Sequence, residues 1–398
     1  MPDFNTPFSR AGTQAVKYDA RKAVFGSEKV IPVWVADMDF PAPTAVTEAL
    51  VARAKHPVYG YTLFPESLYQ SLIRWFERRH QWSIDRSSVM MAPGVVPSLH
   101  AAALAFAGPG EGIIVQPPVY FPFFSAVTLT GRRLIENPLQ LRDGRYQMDL
   151  QHLEACARDG ARVLFLCSPH NPVGRVWSRE ELEAVLAIAR RHGLVVISDE
   201  IHCDLVYPDQ PRHRVLATLA GDEDQLITTV APSKTFNIPG LGLSSLVAPD
   251  PGHRAALKKV FESLHMGQCN PFSVAGFEAA YRHGEEWLED MLVYLQANRD
   301  FVADYLAARI PEVRLVHPEG TYLLWLDCSA LNLSDDELKA FFIHRAGVGM
   351  NPGTQFGEGG SGHMRMNIGA PRSVLEAALD RIALAVSRLE PGFRASPE

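Results

Sequence analysis

The chain of 398 residues has few cysteines and no long apolar run. Its five cysteines lie far apart without a CxxC pair, which argues against disulfides and a structural zinc site, and no other metal site is predicted. No apolar stretch approaches the roughly 20 residues that a membrane span needs. The N-terminus, MPDFNTPFSRAG, lacks the basic-then-apolar pattern of a secretion signal, so we expect a cytoplasmic protein that does not bind a membrane.

The sequence also lacks a basic cluster. It has 38 basic and 45 acidic residues, and no run of lysine or arginine follows one helix face. A nucleic acid or an anionic membrane surface would need such a cluster for electrostatic binding. The composition therefore favours a small-molecule ligand and argues against nucleic acid.

From about residue 90 to 250, short apolar segments alternate with amphipathic helical ones. Near-continuous apolar segments, rather than strict alternation, are typical of strands buried on both faces of a mainly parallel sheet. The pattern predicts an α/β domain. Its predicted strands are GIIVQ (112–116), RVLFLC (162–167), LVVIS (194–198), LITTVA (226–231) and LSSLVA (243–248).

One helix of this domain has clear end signals. Ser178 and Glu181 form a capping-box pattern that opens the stretch ELEAVLAIARRH (181–192), and Gly193 follows as the expected C-terminal cap. The sequence therefore predicts a helix that begins after Ser178 and ends at Gly193.

The pattern changes near residue 285. A long helical stretch is followed by the strands VRLV and YLLWLD, by a second capping box at Ser334 and Glu337, by the segment 363–369, and by a last helix from about 372 to 389. Strands with helices on one side predict a smaller α+β domain.

These patterns predict three parts of the chain. Residues 1–45 form an N-terminal segment that joins the small domain, since the first forty residues contain no long periodic segment. Residues 46–284 form the large domain, and residues 285–398 form the C-terminal small domain.

Polar residues follow three of the predicted strands: Asn171, Asp199 and Lys234. In open α/β sheets ligands bind beyond the carboxyl ends of the strands, so these side chains are expected on one rim. Each has an ordinary alternative. Asn171 opens an NPxG turn, Asp199 can cap a helix, and an isolated lysine is most often solvated. The combination of all three favours a functional site.

A lysine, a carboxylate and an amide in this arrangement suit pyridoxal phosphate. A lysine amine forms a Schiff base with a carbonyl cofactor, and a carboxylate keeps the pyridine nitrogen protonated. An amide can donate a hydrogen bond to the phenolic oxygen. The segment 92–108, APGVVPSLHAAALAFAG, supplies a glycine turn before a helix, which is a suitable phosphate site, although it can also be a plain strand-to-helix turn.

The spacing of Asn171, Asp199 and Lys234 resembles that of fold-type I pyridoxal-phosphate enzymes, the aspartate aminotransferase superfamily, and within it the MalY/PatB group of cystathionine β-lyases, or C–S lyases. The resemblance implies a large domain with a mainly parallel seven-stranded sheet between helices, plus a smaller α+β domain. The matching stretches span nearly the whole chain: WVADMDF (34–40), YGYT (59–62), PGVVPS (93–98), QPPVYFPF (116–123), CSPHNPVGRVW (167–177), SDEIHCDLVY (198–207), SKTFNIPGL (233–241), EGTYLLWLD (319–327), NPGTQFG (351–357) and HMRMNIGAPR (363–372).

The resemblance assigns roles around the cofactor ring. Lys234 would bind the cofactor covalently and then transfer the proton at the substrate Cα. Asp199 would pair with the pyridine nitrogen, and Asn171 would bond the phenolic oxygen beside the substrate. Tyr120 would stack on the ring and take part in catalysis. His202 stands where aminotransferases commonly have a tyrosine, as in the C–S lyase group, and is expected to lie beside the cofactor as a supporting residue.

The resemblance also assigns the phosphate site. The phosphate would be held by the backbone of Val95 and Val96, by the Ser233 hydroxyl, and by Tyr61 of a second subunit. The last contact implies a homodimer with active sites at the interface. Aminotransferases often carry a phosphate-binding arginine where this chain has Gly242.

Two residues are assigned to the substrate carboxylate. Arg365 would bind it with its planar fork of donors, and the backbone N–H of Ala36 would point towards the same group.

The expected reaction is α,β-elimination from L-cystathionine or a related cysteine S-conjugate, giving a thiol such as homocysteine, pyruvate and ammonia. Two alternatives remain at this point. One is an aminotransferase on the same scaffold, and the other is a pyridoxal-phosphate-binding regulatory protein that acts through a partner.

Overall fold

The computed structural model describes residues 3–267 and 269–389. The outer ends of the predicted N-terminal and C-terminal parts, residues 1–2 and 390–398, lie outside the described residues. Among the helices that are described, none combines the length and the apolar character needed to cross a membrane.

The described strands are, in chain order, β1 (Ile31–Pro32), β2 (Val89–Ala92), β3 (Gly112–Val115), β4 (Arg133–Glu136), β5 (Gln140–Arg142), β6 (Arg145–Gln147), β7 (Ala161–Cys167), β8 (Val195–Asp199), β9 (Leu226–Val230), β10 (Ser244–Val247), β11 (Arg314–Leu315), β12 (Leu323–Asp327), β13 (Val348–Gly349), β14 (Asn351–Pro352) and β15 (His363–Asn367).

The described α-helices are α1 (Val16–Asp19), α2 (Arg21–Phe25), α3 (Thr44–Ala54), α4 (Glu66–His80), α5 (Val95–Phe106), α6 (Pro122–Thr128), α7 (Leu150–Arg158), α8 (Arg179–His192), α9 (Pro232–Thr235), α10 (Pro251–Ser263), α11 (Pro271–His283), α12 (Glu285–Arg309), α13 (Asp335–Ala340) and α14 (Arg372–Val386). Short 3₁₀ turns occupy Arg86–Ser88, Leu216–Thr218, Pro239–Leu241, Ser329–Leu331 and Gly353–Phe356. A π-helical segment, Phe341–Ala346, continues α13.

A seven-stranded sheet forms the centre of the molecule, in the order β2-β10-β9-β8-β7-β3-β4. The pairs β9–β8, β8–β7, β7–β3 and β3–β4 are parallel, and β10 runs antiparallel to both of its neighbours. The predicted α/β class with a mainly parallel seven-stranded sheet is therefore confirmed. All five strands predicted from apolar runs are present, and the sequence pattern missed the four-residue strands β2 and β4.

The apolar strands are buried because each contributes to two cores. Ile114, Leu164 and Val196 pack with α7 and α8 on one face of the sheet, while Ile113, Val163 and Ile197 pack with α5 on the other. Successive side chains of a strand point to opposite faces, so a strand between two helical layers needs apolar residues at consecutive positions.

The predicted helix ends are confirmed. The Ser178 and Ser334 side chains accept from the backbone N–H of Glu181 and Glu337, and each glutamate carboxylate accepts from the backbone N–H of its capping serine. Gly193 ends α8 at φ 64°, a left-handed conformation that glycine adopts without strain.

A second, four-stranded antiparallel sheet has the order β11-β12-β15-β14. The N-terminal strand β1 pairs in parallel with β13, a strand of the C-terminal part of the chain. The division into residues 1–45, 46–284 and 285–398 stays a prediction.

Candidate active site

A cavity of about 250 Å³ lies beyond the carboxyl ends of β7, β8 and β9, which are neighbours in the sheet. Asn171, Asp199 and Lys234 all line it, which confirms the predicted common rim. Nine of the residues that sequence analysis singled out contribute to its wall: Ala36, Val95, Val96, Tyr120, Asn171, Asp199, His202, Ser233 and Lys234.

Lys234 lies in the short helix α9, directly after β9. Its Nζ donates to the carbonyl oxygen of Ala36 at 2.6 Å. Burial lowers the pKa of Lys234 to about 8, Arg365 acts in the same direction, and the carboxylates of Asp37 and Asp199 oppose the shift. The amine is thus far easier to deprotonate than an ordinary lysine.

Asp199 is the last residue of β8 and is buried. Its Oδ1 accepts from the Ile201 N–H at 3.1 Å. Burial raises the pKa of Asp199 to about 7, against the lowering effects of that hydrogen bond and of Lys234. A buried carboxyl group that is easily protonated lacks a strong cationic partner, and a protonated pyridine nitrogen would supply one.

Helix α5 begins at the same cavity, and Gly94, Val95 and Val96 line its wall. Among the residues that the structure describes, no side chain caps this helix N-terminus. The first-turn N–H groups and the positive end of the helix dipole therefore face a space that suits an anion such as phosphate. The hydroxyl-bearing Ser233 lines the same space.

Arg365, from β15, is 2% exposed. It donates to Asn171 Oδ1 at 3.0 Å, to Asn351 Oδ1 at 2.8 Å and to the Trp34 carbonyl at 3.1 Å. Its Nε has no partner among the described residues, and no carboxylate there forms an ion pair with it. Burial lowers the pKa of Arg365 to about 10, because the charge is desolvated without a counter-ion.

The contact with Arg365 also orients Asn171. A guanidinium group only donates, so the Asn171 atom that faces it is the carbonyl oxygen Oδ1. The amide NH₂ of Asn171 is then the end that can donate to a ligand, as the predicted bond to a phenolic oxygen requires.

Tyr120 and His202 complete the cavity wall. Burial raises the pKa of Tyr120, so its phenol is neutral. Burial, with the charges of Lys234 and Arg365, lowers the pKa of His202 to about 3, and its buried Nδ1 has no partner in the described part of the chain. His202 is therefore a neutral ring, which suits a supporting residue and not an acid.

Tyr61 does not line the cavity of its own chain. Its side chain is 96% exposed, in a loop where Leu63 is 86% exposed. Its predicted contact with the phosphate of a second subunit stays a prediction.

Sequence reasoning missed three residues that touch this site. Asn351 fixes Arg365, Asp37 acts on the charge of Lys234, and the Tyr322 hydroxyl donates to the Ala36 carbonyl at 2.9 Å. All three lie within stretches that carry the family resemblance, which was the available signal. Ala36 was assigned through its N–H, and the structure shows that its carbonyl is the group that meets Lys234.

A second polar cluster, His80, Cys203 and Asp204, has the atom spacing of a metal site. The Asp204 carboxylate already accepts from the Thr235 hydroxyl and the His80 ring, each at 2.8 Å. The Arg79 guanidinium lies 3.1 Å from it. These contacts satisfy Asp204 and disfavour a cation there.

The polar groups that line the main cavity fit pyridoxal phosphate. The uncapped N-terminus of α5 fits its phosphate, the Asp199 carboxyl fits its pyridine nitrogen, and the partly buried Lys234 amine fits its carbonyl carbon.

Residues 28–382 match the family described as aminotransferase class I and II. The chain is 41% identical to the cystathionine beta-lyase PatB of Bacillus subtilis (strain 168), over 97% of this chain and 100% of that protein. It is 33% identical to the protein MalY of Escherichia coli (strain K12), over 97% and 99% of the two chains. The crystal structure of cystalysin from Treponema denticola, which contains a pyridoxal 5′-phosphate cofactor, superposes with a TM-score of 0.94 at 35% identity, over 98% and 100% of the two chains.

Proposed function

Since the chain belongs to the aminotransferase class I and II family and to its MalY/PatB group of C–S lyases, we propose that it is a pyridoxal-phosphate-dependent carbon–sulfur β-lyase. Its substrates are L-cystathionine or related cysteine S-conjugates. The products are a thiol, pyruvate and ammonia, and one water is consumed.

One observation carries the proposal for an amino-acid substrate. Arg365 is a fully buried cation without a carboxylate partner in the described part of the chain, and it contacts Asn171, which lines the cavity that contains Lys234. A buried unpaired charge is costly, so this position is explained by a ligand that brings its own carboxylate. An α-amino acid bound there would place its Cα towards Lys234.

Pyridoxal phosphate, when bound, supplies an electron sink for the negative charge that develops at the substrate Cα. The remaining tasks fall to the chain. Arg365 would bind the α-carboxylate with its unused donors, the Asn171 amide would donate to the cofactor's phenolic oxygen, and the Asp199 carboxylate would hold a proton on the pyridine nitrogen. Tyr120 would cover the ring, and neutral His202 would lie beside it without adding charge.

Lys234 acts as the base at Cα. With a pKa of about 8, roughly a tenth of the free amine is neutral at pH 7, against roughly one part in 3,000 for an ordinary lysine. The electron pair left by the Cα proton forms the Cα–Cβ double bond, and the Cβ–S bond breaks. The departing thiolate takes up one proton, which the Lys234 ammonium can return.

Release of pyruvate from L-cystathionine without any keto-acid acceptor tests the reaction. We expect stoichiometric thiol and pyruvate from the purified, cofactor-loaded protein, and neither product from Lys234→Ala. Strict dependence on a keto-acid acceptor would identify an aminotransferase instead.

The active unit is a homodimer with active sites at the interface. The exposed loop residues Tyr61 and Leu63 support this, since large apolar side chains this exposed are typical of a contact surface. Subunit complementation tests it. Neither Tyr61→Ala nor Lys234→Ala alone should be fully active, but mixed subunits should regain part of the activity, because one site then has both native residues. An active monomer in sedimentation would refute the dimer.

The protein is cytoplasmic. The five cysteines are all free thiols, as expected in a reducing compartment. Cell fractionation tests this, and recovery in an oxidising compartment would contradict it.

A further inference from the structure

The carbonyl oxygen of Ala36 is shared by two donors. Lys234 Nζ lies 2.6 Å from it and the Tyr322 hydroxyl 2.9 Å from it. A carbonyl oxygen has two lone pairs, so it can accept both bonds. Three distant parts of the chain therefore meet at one atom: the N-terminal segment, α9 and the residue just before β12.

The Tyr322 hydroxyl is a permanent hydrogen-bond donor to the Ala36 carbonyl. Its side chain is fully buried, and burial together with the Asp37 charge raises the pKa of Tyr322 far above its ordinary value. The phenol therefore stays protonated while Lys234 titrates, so it remains a donor to the Ala36 carbonyl whatever the state of Lys234.

The backbone before Tyr322 is constrained to place this hydroxyl. Thr321 has φ 68°, in the left-handed region that β-branched residues rarely adopt. A Cβ at Gly320 would lie 2.6 Å from the Leu205 carbonyl oxygen, so the chain passes too close there for any side chain. Strained backbone of this kind concentrates at functional sites.

The segment 34–40, which contains Ala36, depends on side chains for its position. It lacks a regular strand or helix, and its carbonyl groups are held by side chains from other parts of the chain. The bonds run from Arg365 to Trp34, from Asn367 to Val35 and Asp37, from Lys17 to Asp37, and from Asn237 to Met38 and Phe40. Tyr322 supplies the corresponding bond at Ala36, next to the reactive amine.

We propose that Tyr322 is a positioning residue, which holds the Ala36 carbonyl in place as the acceptor for the Lys234 amine. The proposal rests on the proposed function, since it matters only if Lys234 is the residue that pyridoxal phosphate engages. While the amine is free, two donors satisfy the carbonyl. Once the amine is engaged by the cofactor, Tyr322 is the donor that remains.

This arrangement predicts a specific effect of Tyr322→Phe. The free state loses one of two bonds to Ala36, but the cofactor-bound state loses the remaining one and leaves a buried carbonyl without a partner. The affinity for pyridoxal phosphate should fall by roughly 5- to 100-fold. In the cofactor-free protein, the pKa of Lys234 should rise above about 8, because the ammonium no longer shares its acceptor.

Tyr281→Phe is the matched control. Tyr281 is 2% exposed, and its hydroxyl has no hydrogen-bond partner among the described residues. Removing that hydroxyl should change neither cofactor affinity nor the pKa of Lys234. Affinity is measured by equilibrium dialysis with pyridoxal phosphate. The Lys234 pKa is measured in the cofactor-free protein from the pH dependence of acetylation at Lys234, read by mass spectrometry.

A lower unfolding midpoint for Tyr322→Phe, with wild-type affinity and an unchanged Lys234 pKa, would show a merely structural role and overturn the proposal. Failure of the wild-type protein to bind pyridoxal phosphate would instead overturn the proposed function, and the Lys234 pKa measurement would still decide whether Tyr322 shares the acceptor.

Discussion

The Lys234 amine should make the cofactor-free protein less stable, although it is essential for activity. Among the described residues no carboxylate lies within ion-pair distance of it, and it donates to a neutral carbonyl. The substitution Lys234→Met removes the charge and keeps an unbranched apolar side chain of similar length. We expect the cofactor-free variant to be more stable than the wild type at pH 7 and to be inactive.

The magnitude follows from the pKa of Lys234. Burial lowers it from 10.5 to about 8. A difference of about 2.5 pH units at about 1.4 kcal/mol each is a cost of about 3 kcal/mol. This is an upper value, because the cavity is open to water. The lost hydrogen bond to Ala36 offsets about 1 kcal/mol. A net gain of about 1 to 2 kcal/mol at pH 7 remains.

The sign of the pH dependence is fixed by the direction of the shift. A lysine whose pKa is lowered on folding binds fewer protons when folded, so its cost is fully present below pH 8 and disappears as the pH rises towards 10.5. The stability gain of Lys234→Met should therefore be constant up to about pH 8 and shrink above it. Other titrating groups are the same in both proteins and cancel in the difference.

Urea unfolding of the two cofactor-free proteins at pH 7, 8, 9 and 10 measures this difference. Lys17→Met is the contrasting control, because Lys17 is fully buried but has its Nζ 2.9 Å from Asp39 Oδ2, so its charge has a carboxylate partner. That variant leaves a buried carboxylate short of a partner and should lose about 3 kcal/mol. A Lys234→Met variant that is less stable at pH 7, or whose advantage does not change between pH 7 and 10, would refute the reasoning.

Three further predictions concern two residues of the site and one buried ion pair outside it. Arg365→Lys keeps the charge but loses the planar fork, so kcat/KM should fall roughly 10- to 100-fold, mainly through KM; a change in kcat alone would contradict a carboxylate-binding role. Wild-type affinity for pyridoxal phosphate should rise as Asp199 ionises through about pH 7, and Asp199→Asn should lose this component, as pH-dependent binding titrations would show. Glu319 lies away from the cavity and accepts from buried Arg175 at 3.1 Å and from the Val176 N–H at 2.7 Å. Glu319→Gln should therefore lower the free energy of unfolding, measured in urea, by about 1.5 to 3 kcal/mol and leave the cofactor affinity unchanged.

The large sheet and its rim were predictable from sequence because the relevant signals are local. Buried parallel strands need consecutive apolar residues, and their carboxyl ends deliver Asn171, Asp199 and Lys234 to one edge. The strand β4 was missed because its sequence, RLIE, has a charged residue at each end and only two apolar residues between them. The strand β2, VMMA, is apolar, but it runs directly into the glycine turn of the segment 92–108 and was not separated from that turn. Arg365 carries no local signal, since it lies in a short strand of the second sheet, and only the family resemblance identified it.

The segment 34–40 shows why the contacts around Ala36 could not be predicted from the sequence. A helix or strand satisfies its backbone groups by a regular pattern, and that pattern leaves a period in the sequence. Here the carbonyl groups are satisfied by single side chains, such as Asn237 and Asn367, which lie 199 and 332 residues away from Met38 and Val35. Such bonds impose no period on either partner. Sequence reasoning could thus find the lysine from the end of its strand, but the acceptor it meets, and the tyrosine that shares that acceptor, follow only from the folded chain.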